Sequence, residues 1–150
     1  MTARHLLTFA SSLVALILSS SLAAQAHDAS VANHQPHYYD SADFGIDPKS
    51  VTFSDHIAPI LQSSCQNCHR PGGGGPMVLM TYDEVRPWAP VIKYRTAIRD
   101  RMGAMPPYFL EKHIGITRMK DDYSLSDKEL AMIQAWADNG APRGNPENEP

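Results

Sequence analysis

The stretch Cys65-Gln66-Asn67-Cys68-His69-Arg70-Pro71-Gly72-Gly73-Gly74-Gly75-Pro76-Met77 decides how the rest of the chain is read. Two thiols stand at i and i+3, about one helical turn apart, and a histidine follows the second directly. Cysteines at this spacing can form a disulfide, act as a dithiol redox centre, ligate zinc or receive haem. A dithiol centre wants a strand-to-helix transition before its first cysteine, and a zinc site wants two further ligands. The flanking sequence offers neither. The order C-x-x-C-H fits covalent haem attachment, in which the thiols reach the two vinyl groups of one porphyrin and the adjacent imidazole of His69 is delivered to the proximal side of the iron. A plain disulfide between Cys65 and Cys68 is the remaining alternative.

Working outward, Ser54 can cap a helix in which Ile57, Ile60 and Leu61 recur at helical spacing, with Pro59 tolerable in its first turn. A short helix therefore leads into Cys65. After His69 the glycine run and Pro76 cannot continue a helix but permit close backbone approach, and no Lys-Ser or Lys-Thr pair follows to make a phosphate loop. Thr81-x-x-Glu84 reads as a capping box for a helical turn that Pro87 and Pro90 interrupt. A longer helix over residues 91–102 follows, with Val91, Tyr94, Ala97 and Ile98 on one face and Gly103 at its end. Ser126-x-x-Glu129 is a second capping box, opening a helix with the apolar stripe Leu130, Ile133, Trp136 and Ala137 that Asn139-Gly140 stops. Runs of alternating hydrophobic residues are missing, so the fold class expected is all-α, with a core small enough that a cofactor completes it.

At the start of the chain, Arg4 precedes an apolar run through Leu6, Leu7, Leu13, Val14, Leu16, Ile17 and Leu18, and Ala24-Gln25-Ala26 supplies a small-x-small cleavage site. Residues 1–26 read as a secretory signal peptide, with a retained membrane anchor as the competing reading. Export places the mature chain in the periplasm, without stable membrane insertion because no second hydrophobic segment follows. Losing Arg4 from 13 basic residues against 16 acidic ones takes the formal charge from −3 to about −4, which argues against nucleic acid as a partner. Residues 27–49 are polar and aperiodic and read as a flexible N-terminal extension. Its His27, His34 and His37 could bind a copper ion, but no regular element fixes their spacing. The folded domain is expected over residues 50–146, with a short tail over 147–150.

An iron held by His69 needs a second axial ligand from downstream, and the candidates are Met77, Met80, Met102, Met105 and His113, with Met119 and Met132 in less suitable surroundings. Met105 fits best. Gly103-Ala104 lets its loop approach a flat group, and Pro106-Pro107 holds the sulfur with two fixed φ angles. Met102 reads as a helix end, Met77 and Met80 as packing, and His113 as the bis-histidine alternative. His56 is expected on the surface, and Trp88 and Trp136 in the core. Linear spacing identifies no paired carboxylates, nucleophile and base, or distal His–Arg pattern, so no enzyme activity is expected.

Taken together, these residues resemble the cytochrome c superfamily in its class I arrangement, over residues 51–146. A helix enters C-x-x-C-H, a Met-Pro-Pro loop follows, and a helix closes the domain. More narrowly, Val51-Thr52-Phe53-Ser54, Ala58-Pro59-Ile60-Leu61, Cys68-His69-Arg70-Pro71-Gly72, Leu79-Met80-Thr81-Tyr82, Arg86-Pro87-Trp88-Ala89 and Met105-Pro106-Pro107 are similar to a bacterial group of monohaem cytochrome domains. Ser124-Leu125-Ser126-Asp127 and Gly140-Ala141-Pro142 fit that group too. Such domains occur alone or fused to copper-dependent monooxygenase-like or other redox modules. The resemblance implies a helical fold wrapped around one covalently bound haem c, iron ligation by His69 and Met105, and electron transfer between a redox protein donor and acceptor. It also implies that the first and last helices pack together, bringing Trp136 or Ala137 near the 57–61 helix. Residues 108–123 are long for a minimal cytochrome and could shape the haem edge or a docking face. The alternatives are a haem enzyme or sensor with an open or displaceable sixth ligand, and a cytochrome subunit of a larger oxidoreductase.

Overall fold

Phe53–Ile57 form a π-helical turn that runs directly into helix α1, Ala58–Ser64, in the computed structural model, which describes residues 35–99, 101–107 and 121–150. The cap of this segment is Thr52, whose hydroxyl accepts from the Asp55 N–H. Ser54, the expected cap, is buried one turn-position further in, and its hydroxyl donates to the Arg143 carbonyl at 2.8 Å. Pro59 is the second residue of α1, as its first-turn reading requires.

Helix α2, Tyr82–Val85, starts at Thr81 with the expected capping box, and the Glu84 carboxylate accepts from the Thr81 N–H and hydroxyl at 2.9 Å each. A 3-10 turn over Arg86–Trp88 absorbs Pro87 and leads into helix α3, Ala89–Ala97. This helix is shorter than the 91–102 expectation. Arg99 adopts a positive φ of 25°, outside the right-handed helical region, and Gly103 (φ 88°) turns the chain back so that the Met105 N–H reaches the Arg95 carbonyl at 2.9 Å. Helix α4, Asp127–Asp138, has the second capping box at Ser126 and Glu129 and ends at Asn139, with Gly140 at φ 80°. Among the described residues the fold is helical and has no strands. No described helix is long and apolar enough to cross a membrane.

Phe53, Ile57, Leu61, Val85, Ile133 and Trp136 are fully buried in one cluster that joins the first and last helical segments. Trp136 packs on Phe53 with ring centroids 6.2 Å apart, and Phe53 meets Tyr82 edge-on at 5.4 Å. The indole N–H donates to the Pro142 carbonyl at 3.0 Å, so burial leaves it partnered. Trp88 departs from its expected core position and is 39% exposed, as are Val91 (41%) and Tyr94 (49%) on the face of α3 expected to turn inward. Of that face Ala97 and, just past the helix end, Ile98 are buried as expected, while Ala89 and Thr96 take the inward positions of the larger residues and the helix packs on α4. Small residues let two helix axes approach, which leaves the larger side chains outside.

The segment expected as a flexible extension is built into the domain from Pro36 onward, and the compact unit runs Pro36–Pro150. The reason is Gln134, a buried amide within the apolar stripe of α4. Its oxygen accepts from the Tyr39 N–H and its nitrogen donates to the His37 carbonyl, both at 2.7 Å. The His37 N–H donates to the Ala97 carbonyl at 2.8 Å, and Asn139 Nδ2 donates to Pro48. At the other end Glu149, expected in a tail, pairs with Arg143 at 2.9 Å, and its carboxylate stands 3.3 Å from the Ser54 hydroxyl oxygen. Residues 1–26, read above as a signal peptide, lie outside the described residues, as do His27 and His34.

Gln134→Leu keeps the volume and removes both amide bonds, leaving two backbone groups of the 36–39 segment without partners. The expected loss is about 1–3 kcal/mol, with faster amide hydrogen exchange over residues 37–50 and unchanged exchange in α1. Equal protection of residues 37–50 in both proteins would show that Gln134 does not hold the segment.

Candidate functional site

The Cys65 N–H closes α1 on the Leu61 carbonyl at 2.8 Å, and the Cys65 carbonyl then accepts from the N–H groups of Cys68 and His69 at 3.1 and 3.0 Å. Both thiols and the imidazole therefore come from one tight turn. Cys65 is half-buried and Cys68 exposed, and neither is in a disulfide. The two intervening residues, to which the motif assigns no role, tie the turn down. Gln66 Nε2 donates to the Leu79 carbonyl at 3.0 Å, and Asn67 Nδ2 to the Tyr123 hydroxyl at 3.1 Å. The Leu79 N–H returns to the His69 carbonyl at 3.0 Å. Nothing in the spelling of the motif marks these contacts, because the partners lie 13 and 56 positions away.

His69 is buried, and its Nδ1 lies 3.1 Å from the Met77 carbonyl oxygen. A carbonyl oxygen only accepts, so Nδ1 is the donor in this contact, and in the neutral imidazole the lone pair then belongs to Nε2. The glycine run makes this possible. A β-carbon on Gly75 would stand 2.5 Å from His69 Nδ1, and one on Gly73 would fall on the Cys68 carbonyl oxygen. The Gly75 N–H donates to that same carbonyl at 2.9 Å. Gly74, between them, faces open space.

Of the other candidates, Met77 contributes its carbonyl and packs half-buried against the core, while Met80 is exposed. Met132 also packs against the core, and Met102 is fully exposed in the turn beyond α3. Met105 is half-buried on a backbone anchored to Arg95, and its peptide bond to Pro106 is cis. Among the described residues no hydrogen bond joins the Met105 loop to the Cys65–His69 turn. His56 is half-buried, and its Nδ1 accepts from the Thr52 N–H at 3.3 Å, a local role at the start of the first helical segment. His37 is exposed. His113 and Met119 lie outside the described residues, as do residues 108–120 of the long segment.

Burial first, then the nearby Cys68 and Glu129, pushes the Cys65 thiol up to about 12. At neutral pH it is a thiol, which is the wrong form for the attacking nucleophile of a dithiol oxidoreductase. Among the described residues no group of three or more His, Cys, Asp or Glu side chains is placed to hold a metal ion. A cleft of about 400 Å3 lined by Tyr38, Tyr39, Lys93, Gln134, Asp138 and Asn139 contains none of the candidate residues. Two free thiols beside an imidazole whose Nδ1 is committed to a carbonyl are what covalent haem attachment asks of a chain. The residues of the turn fit that group.

Gly75→Ala should displace the His69 ring or open the 70–77 loop, whereas Gly74→Ala should be tolerated. Thermal unfolding reads the contrast, with a loss of about 1–3 kcal/mol expected for the first and a change within about 0.5 kcal/mol for the second. Equal effects would mean that the close approach to His69 is not what Gly75 supplies. Comparison of the chain with protein-family models, with curated proteins and with solved structures found no match.

Proposed function

We propose that this chain is an exported monohaem c-type cytochrome that carries electrons between redox partners. The observation that supports it most is the pair of free thiols one turn apart, followed by a histidine whose Nδ1 proton is committed to the Met77 carbonyl. Haem c, when bound, supplies a one-electron couple. What remains is the work of the chain. Cys65 and Cys68 would hold the haem through their sulfurs, and His69 would supply Nε2 to its iron. The Met77 carbonyl fixes the tautomer of His69 and raises the basicity of the ligating nitrogen. The Arg95 carbonyl anchors the backbone of Met105, whose thioether is the distal ligand in this reading. A histidine and a methionine as the iron ligands would raise the potential and leave the iron no open position, which suits outer-sphere transfer to a protein donor and acceptor. The signal peptide read from residues 1–26 of the sequence supports a periplasmic location for the mature chain.

The test is a set of optical spectra of the exported protein. Wild type should carry haem that survives denaturation, with the weak far-red band of a sulfur–iron bond in the oxidised form. Cys65→Ala and Cys68→Ala should lose most covalent haem, and Met105→Ala should keep haem, lose the far-red band and bind carbon monoxide. No haem in wild type would overturn the proposal, and an unchanged band in Met105→Ala would move the distal ligand elsewhere.

A further inference from the structure

Arg101 carries a guanidinium whose Nε and Nη2 atoms are buried and have no hydrogen-bond partner. Its backbone is held on both sides. The Arg101 N–H donates to the Ile98 carbonyl at 3.1 Å, and its own carbonyl accepts from the Ala104 N–H at 3.0 Å. The other described arginines are accounted for. Arg99 faces the Asp127 carboxylate at 2.7 Å, Arg143 pairs with Glu149, Arg95 donates to the Gly103 carbonyl, and Arg70 and Arg86 are exposed. Among the described residues, Arg101 is the one arginine with buried guanidinium nitrogens and no counter-charge.

Such a group does not stay in a native fold by itself. Arginine keeps its proton at any physiological pH, so it cannot lower the cost of burial by becoming neutral, as lysine or histidine can. Buried charge is retained when an anion meets it, and the planar fork of Nε and Nη nitrogens matches a carboxylate in particular. The position adds a second constraint. Arg101 belongs to the same hydrogen-bonded turn as Ala104, one residue before Met105, so the fork and the thioether travel on one short piece of backbone.

We propose that Arg101 is the anchor for a propionate of the haem, pairing its buried guanidinium with the carboxylate of the same group that Met105 ligates. This rests on the haem reading above. The pairing positions the ring relative to the Met105 loop and keeps the propionate ionised across neutral pH. The competing occupant is a carboxylate of the chain itself, for which Glu111 is the one acidic residue of the sequence over residues 108–120, outside the described residues.

The experiment uses exported holo-protein. Covalent haem is first verified in wild type after denaturation, and its absence would sink the haem reading before Arg101 is tested. The reduction potential is then followed against pH in wild type, Arg101→Gln and Glu111→Gln. Wild type should be flat through neutral pH. Removing the Arg101 cation should lower the potential at high pH, and a new step should appear in which the potential rises as pH falls and the unpaired propionate takes up a proton. Glu111→Gln should follow wild type. In the reduced, diamagnetic wild-type protein, nuclear Overhauser contacts are expected between the Arg101 side chain and the propionate methylenes, which keeps the test valid if Arg101→Gln does not fold. Haem present with no such contacts, or Arg101→Gln titrating like wild type, would overturn the assignment. So would a potential that responds to Glu111→Gln in place of Arg101→Gln.

Discussion

The bond between His69 Nδ1 and the Met77 carbonyl holds the centre of this structure together. It requires the 70–77 loop to fold back over its own starting turn, and that return is possible only because Gly73 and Gly75 carry no β-carbon where Cys68 and the imidazole stand. Once the loop is closed, the Leu79 N–H reaches the His69 carbonyl and Gln66 reaches the Leu79 carbonyl. Leu79 is thereby delivered to the core beside Val85, and α2 begins in register. The same bond sets the tautomer of His69, so the packing of the loop and the chemistry of the imidazole have one cause.

Around this turn the helices form a frame whose long-range contacts are aromatic. Phe53 lies between Tyr82 and Trp136, joining the segment that leads into Cys65 to the last helix of the chain. Helix α3 adds to the frame through its small residues, and this leaves Trp88, Val91 and Tyr94 at the surface. A Lys93–Asp138 ion pair at 2.5 Å and an Arg99–Asp127 pair at 2.7 Å clip α3 and the turn after it to opposite ends of α4. Both are partly exposed, so their contribution to stability is modest, and they act mainly to orient.

The amino-acid sequence by itself determined the local features. The two capping boxes at Thr81 and Ser126, the first-turn position of Pro59 and the stop at Asn139-Gly140 all depend on contacts within four residues, and all are formed. The grouping of Cys65, Cys68 and His69 was legible for the same reason, since one turn of backbone brings them together. Tertiary structure alone decided what depends on a distant partner. Whether Ser54 caps a helix or bonds to Arg143, whether residues 36–49 are held or free, and which face of α3 turns inward rest on groups tens of residues away. The role of Gln134 and the burial of the Arg101 guanidinium belong with these, because a polar residue stands out only when burial removes water as its default partner.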